Sequence, residues 1–202
     1  MTTSKIIIID NGHGINTPGK RSPEWPDGNQ LFECEFNRDI ANRIKRQLGM
    51  QHVCSFILVP EIEDISLAER CKRANALHDK FKAYERDTIL ISIHANAGGG
   101  SGWECFTSLG ETRSDAMATI FYEKAKELFP KGTKIRTDYS DKDPDKESSF
   151  YILKHTKCPA ILTENFFMDN ESDCRLLMTD SFRESIANVH TEAILEIIKS
   201  NL

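Results

Sequence analysis

Residues 6–44 read "IIIIDNGHGINTPGKRSPEWPDGNQLFECEFNRDIANRI". The isoleucine run has no polar alternation, which is the pattern of a buried strand, and residues 5–10 are assigned to it. The chain then breaks into a loop that carries His13 between two glycines. It resumes as a helix on which Phe36, Ile40, Ile44 and Leu48 recur at helical spacing, with Glu33 just ahead of the first turn.

The same alternation continues outward from this unit. "VCSFILVP" (53–60) reads as a second strand closed by Pro60. Ser66 and Glu69 form a capping-box pattern, and the helix behind them is expected to turn Leu67, Cys71, Ala74, Leu77 and Phe81 inward. "TILISIHAN" (88–96) and "GWECFTS" (102–108) are further strands. Ser114 is the expected cap of a helix presenting Met117, Ile120, Phe121 and Leu128, stopped by Pro130 and Gly132. "TKIRTDYSDKDPDKESS" (133–149) is polar and weakly patterned, a long loop of the kind that often binds something. "CPAILTEN" (158–165) is the last strand. A short helix follows near 171–178, and a C-terminal helix over 181–199 turns Phe182, Ile186, Val189, Ile194 and Ile197/Ile198 inward. Strands alternating with helices predict a single α/β domain, a twisted and mostly parallel sheet flanked by helices on both faces.

Bulk properties agree with that class and narrow the function. The chain has 202 residues, 39% hydrophobic and 28% charged, enough for one full core. A net charge of −5 with dispersed cations argues against nucleic-acid binding. No apolar stretch is long enough to span a membrane. The six cysteines lack C-x-x-C spacing and fall mostly in apolar stretches, so they are expected as reduced core residues. "MTTSK" has no signal-peptide pattern, so synthesis in the cytoplasm is expected.

Strand ends carry the chemistry. His13 follows the first strand, His94 ends the third, and Glu164 ends the last. Ligands of open α/β sheets bind at that carboxyl edge. Glu33 joins from a helix start, where the helix dipole favours a carboxylate. Two histidines and a carboxylate are a frequent catalytic zinc set with one position left for water, whose pKa zinc lowers toward ~7. His13, Glu33 and His94 would be the ligands, and Glu164 the general base and acid. Each residue alone also reads as a loop histidine or a favourable helix-end charge, and spacing does not establish that they converge. Glu164 is the most telling, because a carboxylate ending an apolar strand is costly to bury without a partner. Glu24, in the long loop, is a rival to Glu33, which fits the helix register better.

At these residues the chain resembles the zinc-dependent N-acetylmuramoyl-L-alanine amidases of the Amidase_3 type, found in cell-wall autolysins and phage endolysins. "IIIIDNGHG" is similar to the family's opening strand and D-x-G-H-G, and "ECEFNRDIANRI" to its E-x-x-x-N-x-x-I-A helix. "SLAERCKRAN", "ISIHANA" and "CPAILTENFFMDNESD" resemble further family blocks, in the family's order and over nearly the whole chain. The resemblance implies one zinc on His13, Glu33 and His94, catalysis by Glu164, and supporting positions at Arg70, Asn75 and Asn96. It implies hydrolysis of the amide between N-acetylmuramic acid and L-alanine in peptidoglycan, in cell-wall lysis or remodelling. Residues 1–202 are then one catalytic domain with no separate wall-binding domain, expected to be a monomer that reaches the bacterial cell wall after release or export. Asn11 and Asn165-Phe166 depart from the family pattern without touching the ligands.

Other readings remain open at this stage. A zinc peptidase or deacylase would use the same site on a different amide, and a non-catalytic peptidoglycan-binding protein would keep only the fold. Lys20 and Arg21 are candidates for a substrate carboxylate, Trp25 and Trp103 for the groove wall, and His155 for an approach to the site. His52, His78 and His190 are expected at the surface.

Overall fold

In the computed structural model the isoleucine run is strand β1 (Lys5–Asn11), and every residue of it is buried. The structure describes residues 5–200 and 202; residues 1–4, read above for a leader, lie outside the described residues. Strands β2 (Ser55–Ile57), β3 (Asp87–Asn96), β4 (Trp103–Thr107), β5 (Lys146–Glu147) and β6 (Ala160–Phe167) complete one sheet, in the order β2-β1-β3-β6-β4-β5. Pairing is parallel throughout except between β4 and β6, which are antiparallel. Helices α1 (Glu33–Met50), α2 (Leu67–Lys82), α3 (Arg113–Leu128), α4 (Tyr151–His155), α5 (Glu171–Leu177) and α6 (Asp180–Lys199) cover it.

Two cores explain the unbroken apolar runs. Ile7, Ile9, Ile89, Ile91, Ile93 and Ile161 face the core shared with α1, α3 and α6. The alternate residues Ile8, Leu90, Ala160 and Leu162 face a smaller core with Cys71 and Ala74 of α2 and Ile152 and Leu153 of α4. A strand covered on both sides has no polar face to display, so its sequence cannot alternate. This is the α/β class expected, with a mostly parallel sheet between helices.

Several local expectations are corrected. The second strand has only three residues, all half-buried, at the sheet's edge. The last strand runs on to Phe167, past the expected end. Helix α3 is capped by Thr112 in a capping box with Asp115, while the Ser114 hydroxyl accepts a hydrogen bond from the Ala160 N–H at 3.1 Å. Leu67 and Leu128 are exposed, since each sits at a helix end beyond the stripe that meets the sheet. His190 is fully buried, because it shares the buried stripe of α6 with Ile186, Ala193 and Ile194. Its ring nitrogens meet Thr163 Oγ1 at 2.9 Å and the Ile186 carbonyl at 2.8 Å, which lets a polar ring sit in the core. His52 is exposed as expected, and His78 is half-buried against Thr88. Ser66 does cap α2, and all six cysteines are free.

Candidate active site

The carboxyl ends of β1, β3 and β6 lie side by side, with His94 paired to Glu164 across the β3–β6 ladder. Helix α1 begins over this edge and delivers Glu33, only 1% exposed, in its first turn. Glu33 Oε1 lies 3.1 Å from His94 Nδ1 and 3.4 Å from His13 Nε2, and it accepts the Ala95 N–H at 3.2 Å. One donor atom from each of His13, Glu33 and His94 falls within 4.8 Å of the others. The two imidazoles stand nearly perpendicular, with centroids 4.9 Å apart. Residues remote in sequence therefore meet at one point. Glu24, the rival carboxylate, is exposed in the loop and outside this group.

Backbone geometry makes the meeting possible. His13 adopts a left-handed φ of +63°, a conformation that costs an L-residue roughly 1–2 kcal/mol. Its carbonyl accepts from Arg38 Nη1 at 3.2 Å, and the Gly12 carbonyl accepts from Asn37 Nδ2 at 3.1 Å. Helix α1 thus holds the loop in its strained shape. A β-carbon at Gly12 would lie 2.1 Å from His94 Cε1, so only glycine admits the ring there.

His94 is held from the other side. Asn165 Nδ2 donates to its carbonyl at 3.0 Å, and Asn165 Oδ1 accepts from the Trp103 indole at 3.0 Å. Arg70, buried in α2, donates to Asp10 Oδ1 at 2.7 Å and to the Asn11 carbonyl at 2.9 Å. Ser92 donates to Asp10 Oδ2 at 2.6 Å, so the strand ends under the site form one hydrogen-bonded floor. Asn96 donates to buried Glu104, and Asn75 ties α2 to the His155 carbonyl and the Lys157 N–H. Asn75 and Asn96 thus make structural contacts at the positions expected to be supporting.

A cleft of about 360 Å³ opens above this floor. His13, His94, Glu164 and Lys20 line it, with Leu67, Phe150 and Tyr151 forming an apolar wall. Lys20 approaches Glu33 Oε2 to 3.7 Å. His155 is exposed and stacks on Tyr151 at 3.9 Å instead of entering the cleft. Neither tryptophan lines it: Trp103 is wholly buried in the larger core, and Trp25 donates to Cys174.

The charges at the site are strongly displaced from their ordinary values. Burial lowers His13 to about 4, against the opposing pull of Glu33. Burial works to raise Glu33, but the hydrogen bond and charge of His94 and the charge of His13 prevail and hold it at about 2. Burial opposes a charge on His94, yet the hydrogen bond and charge of Glu33 raise its pKa. Burial raises Glu164 to about 8, with His94 opposing and Glu33 reinforcing. Three buried atoms here, His13 Nε2, Glu33 Oε2 and Glu164 Oε2, have no hydrogen-bond partner among the described residues. Unsatisfied buried polar atoms are rare, and those of His13 and Glu33, in a group whose donor atoms lie within 4.8 Å of one another, fit a bound cation. The donors are two imidazoles and a carboxylate, a set suited to zinc.

Sequence reading missed Asp10, Asn37, Ser92 and the role of Asn165. Asp10 carried the signal that marked Glu164, a carboxylate closing an apolar strand.

A family model described as N-acetylmuramoyl-L-alanine amidase matches residues 7–196. The sporulation-specific N-acetylmuramoyl-L-alanine amidase of Bacillus subtilis (strain 168) is 30% identical over 192 residues, covering 93% of this chain and 66% of that protein. The endolysin of Bacillus phage SPP1 is 29% identical over 198 residues, 96% of this chain and again 66% of the relative. The chain thus spans about two thirds of the length of these relatives. Among solved structures, an N-acetylmuramoyl-L-alanine amidase from Clostridium difficile 630 superposes with a TM-score of 0.77 at 22% identity, over 98% of both chains. That likeness speaks for the fold.

Proposed function

The chain belongs to the Amidase_3 family of N-acetylmuramoyl-L-alanine amidases, and from that premise we propose that it hydrolyses the amide joining N-acetylmuramic acid to L-alanine in peptidoglycan. In this reading His13, Glu33 and His94 hold one zinc ion and Glu164 moves the proton. The observation that carries it is the convergence of one donor atom each from His13, Glu33 and His94 within 4.8 Å, at a cleft that Glu164 also lines.

Bound zinc would supply Lewis-acid chemistry, polarising the scissile carbonyl and acidifying water. The protein's own groups do the rest. His13 is neutral near pH 7 and Glu33 is ionised, the states a ligand needs. A proton held between His94 Nδ1 and Glu33 Oε1 would be released as the ion binds. Glu164 takes a proton from the attacking water and returns it to the departing L-alanine nitrogen. Its raised pKa matches a group that must both accept and donate near neutrality. Leu67, Phe150 and Tyr151 give one side of the cleft an apolar lining against which a substrate could pack.

Paired variants separate the two roles. Glu164→Gln is expected to bind one zinc per chain, read by elemental analysis, and to lose at least a hundredfold in hydrolysis. His94→Ala is expected to lose both zinc and hydrolysis. Full activity in Glu164→Gln would contradict the assignment of the proton carrier.

The site of action follows from the family premise: the bacterial cell wall. Among the described residues no helix is long and apolar enough to cross a membrane.

A further inference from the structure

The long polar loop before β5 has no part in the chemistry above, yet it builds a second convergence of acids. Asp143 and Asp145 come from "DKDPDKE" (141–147), and Asp115 comes from the first turn of α3. One carboxylate oxygen from each lies within 4.8 Å of the others. Each group already spends one oxygen locally. Asp115 Oδ2 accepts the Thr112 N–H, Asp143 Oδ1 accepts the Asp145 N–H at 3.3 Å, and Asp145 Oδ2 accepts the Thr107 hydroxyl at 2.7 Å. Asp145 is only 1% exposed, and its other oxygen, Oδ1, is buried and receives no N–H or hydroxyl donor from the described residues. A buried carboxylate with an oxygen that has no donor, close to two more carboxylates, calls for a proton or a cation between them.

We propose that Asp115, Asp143 and Asp145 form a second cation site, for a hard divalent ion of the calcium class, that clamps the 138–147 loop to the start of α3. The donors are all oxygens, the set that calcium prefers and zinc does not. Asp143, only partly buried, leaves a side open for water to complete the shell. Burial, together with the hydrogen bond and charge of Asp143 and the charge of Asp115, pushes the Asp145 carboxyl up to about 8, consistent with a group that wants a neutralising partner. The clamp would sit where β5 pairs with Phe106 and Thr107 of β4, and so would fix the weak end of the sheet.

Terbium, a luminescent stand-in for calcium, tests this on the zinc-loaded protein at pH 8. Tyr122 feels the Asp145 charge and stacks edge-on against Trp103, so excitation of these rings should sensitise the bound ion. The expected result is emission saturating at one terbium per chain and displaced by calcium. Calcium should also raise the melting temperature and slow proteolysis within 138–147. Asp145→Asn and Asp143→Asn should each abolish the emission while circular dichroism and zinc content stay unchanged. Asp143→Asn keeps the test decisive if the buried variant fails to fold. No emission from the wild type, or emission that survives Asp143→Asn, would overturn the site and leave Asp143 and Asp145 as a pair sharing a proton.

Discussion

Gly12 shows how much of the candidate site depends on an absent atom. A methyl group there would meet the His94 ring at 2.1 Å, and that ring is held at Nδ1 by Glu33 at 3.1 Å. Gly12→Ala is therefore expected to fold but to weaken zinc binding at least tenfold, measured by competition with a chromogenic chelator; unchanged affinity would show that the ring can move aside. His13, Glu33, His94 and Glu164 could be picked out as candidates in the sequence because each stands at a strand end or a helix start. Their convergence was not legible, since it depends on the order in which β1, β3 and β6 pair. Asp10 was overlooked although it closes an apolar strand as Glu164 does. Its partners, Arg70 and Ser92, lie 60 and 82 residues away, so no local pattern ties them together.

Among the elements, α2 links stability to the site through Arg70, whose guanidinium reaches Asp10, Asn11, Asp64 and Ile65 from a side chain 2% exposed. Removing one partner of a buried ion pair leaves the other charge unpaired, at a cost of about 3–5 kcal/mol. Arg70→Met is expected to lose that much in urea unfolding; a loss below 1 kcal/mol would mean that water replaces the guanidinium. The long elements were legible because their periodicity extends over several turns or an unbroken apolar run. The five-residue α4 and the two-residue β5 are too short to display a period, so their sequence reads as loop. The start of α3 was misread for a physical reason. Thr112 and Ser114 are both able to cap, and the reciprocal bond from Asp115 selects Thr112, leaving the Ser114 hydroxyl for the backbone of β6.

For the molecule as a whole, His190 makes stability depend on pH. Its folded-state pKa of about 4 lies below its ordinary 6.5, because burial disfavours the charged ring. Above pH 6.5 neither state is protonated there. As pH falls from 6.5 toward 4, the unfolded chain takes up a proton that the folded chain refuses, so stability is lost across that window. The difference of about 2.5 units corresponds to about 3 kcal/mol. Urea titrations at pH 7 and pH 4.5 should show a steeper loss in the wild type than in His190→Asn; parallel losses would place the acid sensitivity elsewhere. The α/β class was readable because two-sided burial forces apolar runs, whereas the sheet order and the single antiparallel pairing were not, since they are set by long-range packing. The proposed function turns on which bond this sheet edge cuts. Purified peptidoglycan digested by the zinc-loaded protein, with and without a chelator, should be analysed by mass spectrometry. The account predicts peptide-free glycan strands and free stem peptides beginning with L-alanine, both abolished by the chelator. Cleavage within the stem peptide, or release that persists without metal, would contradict it.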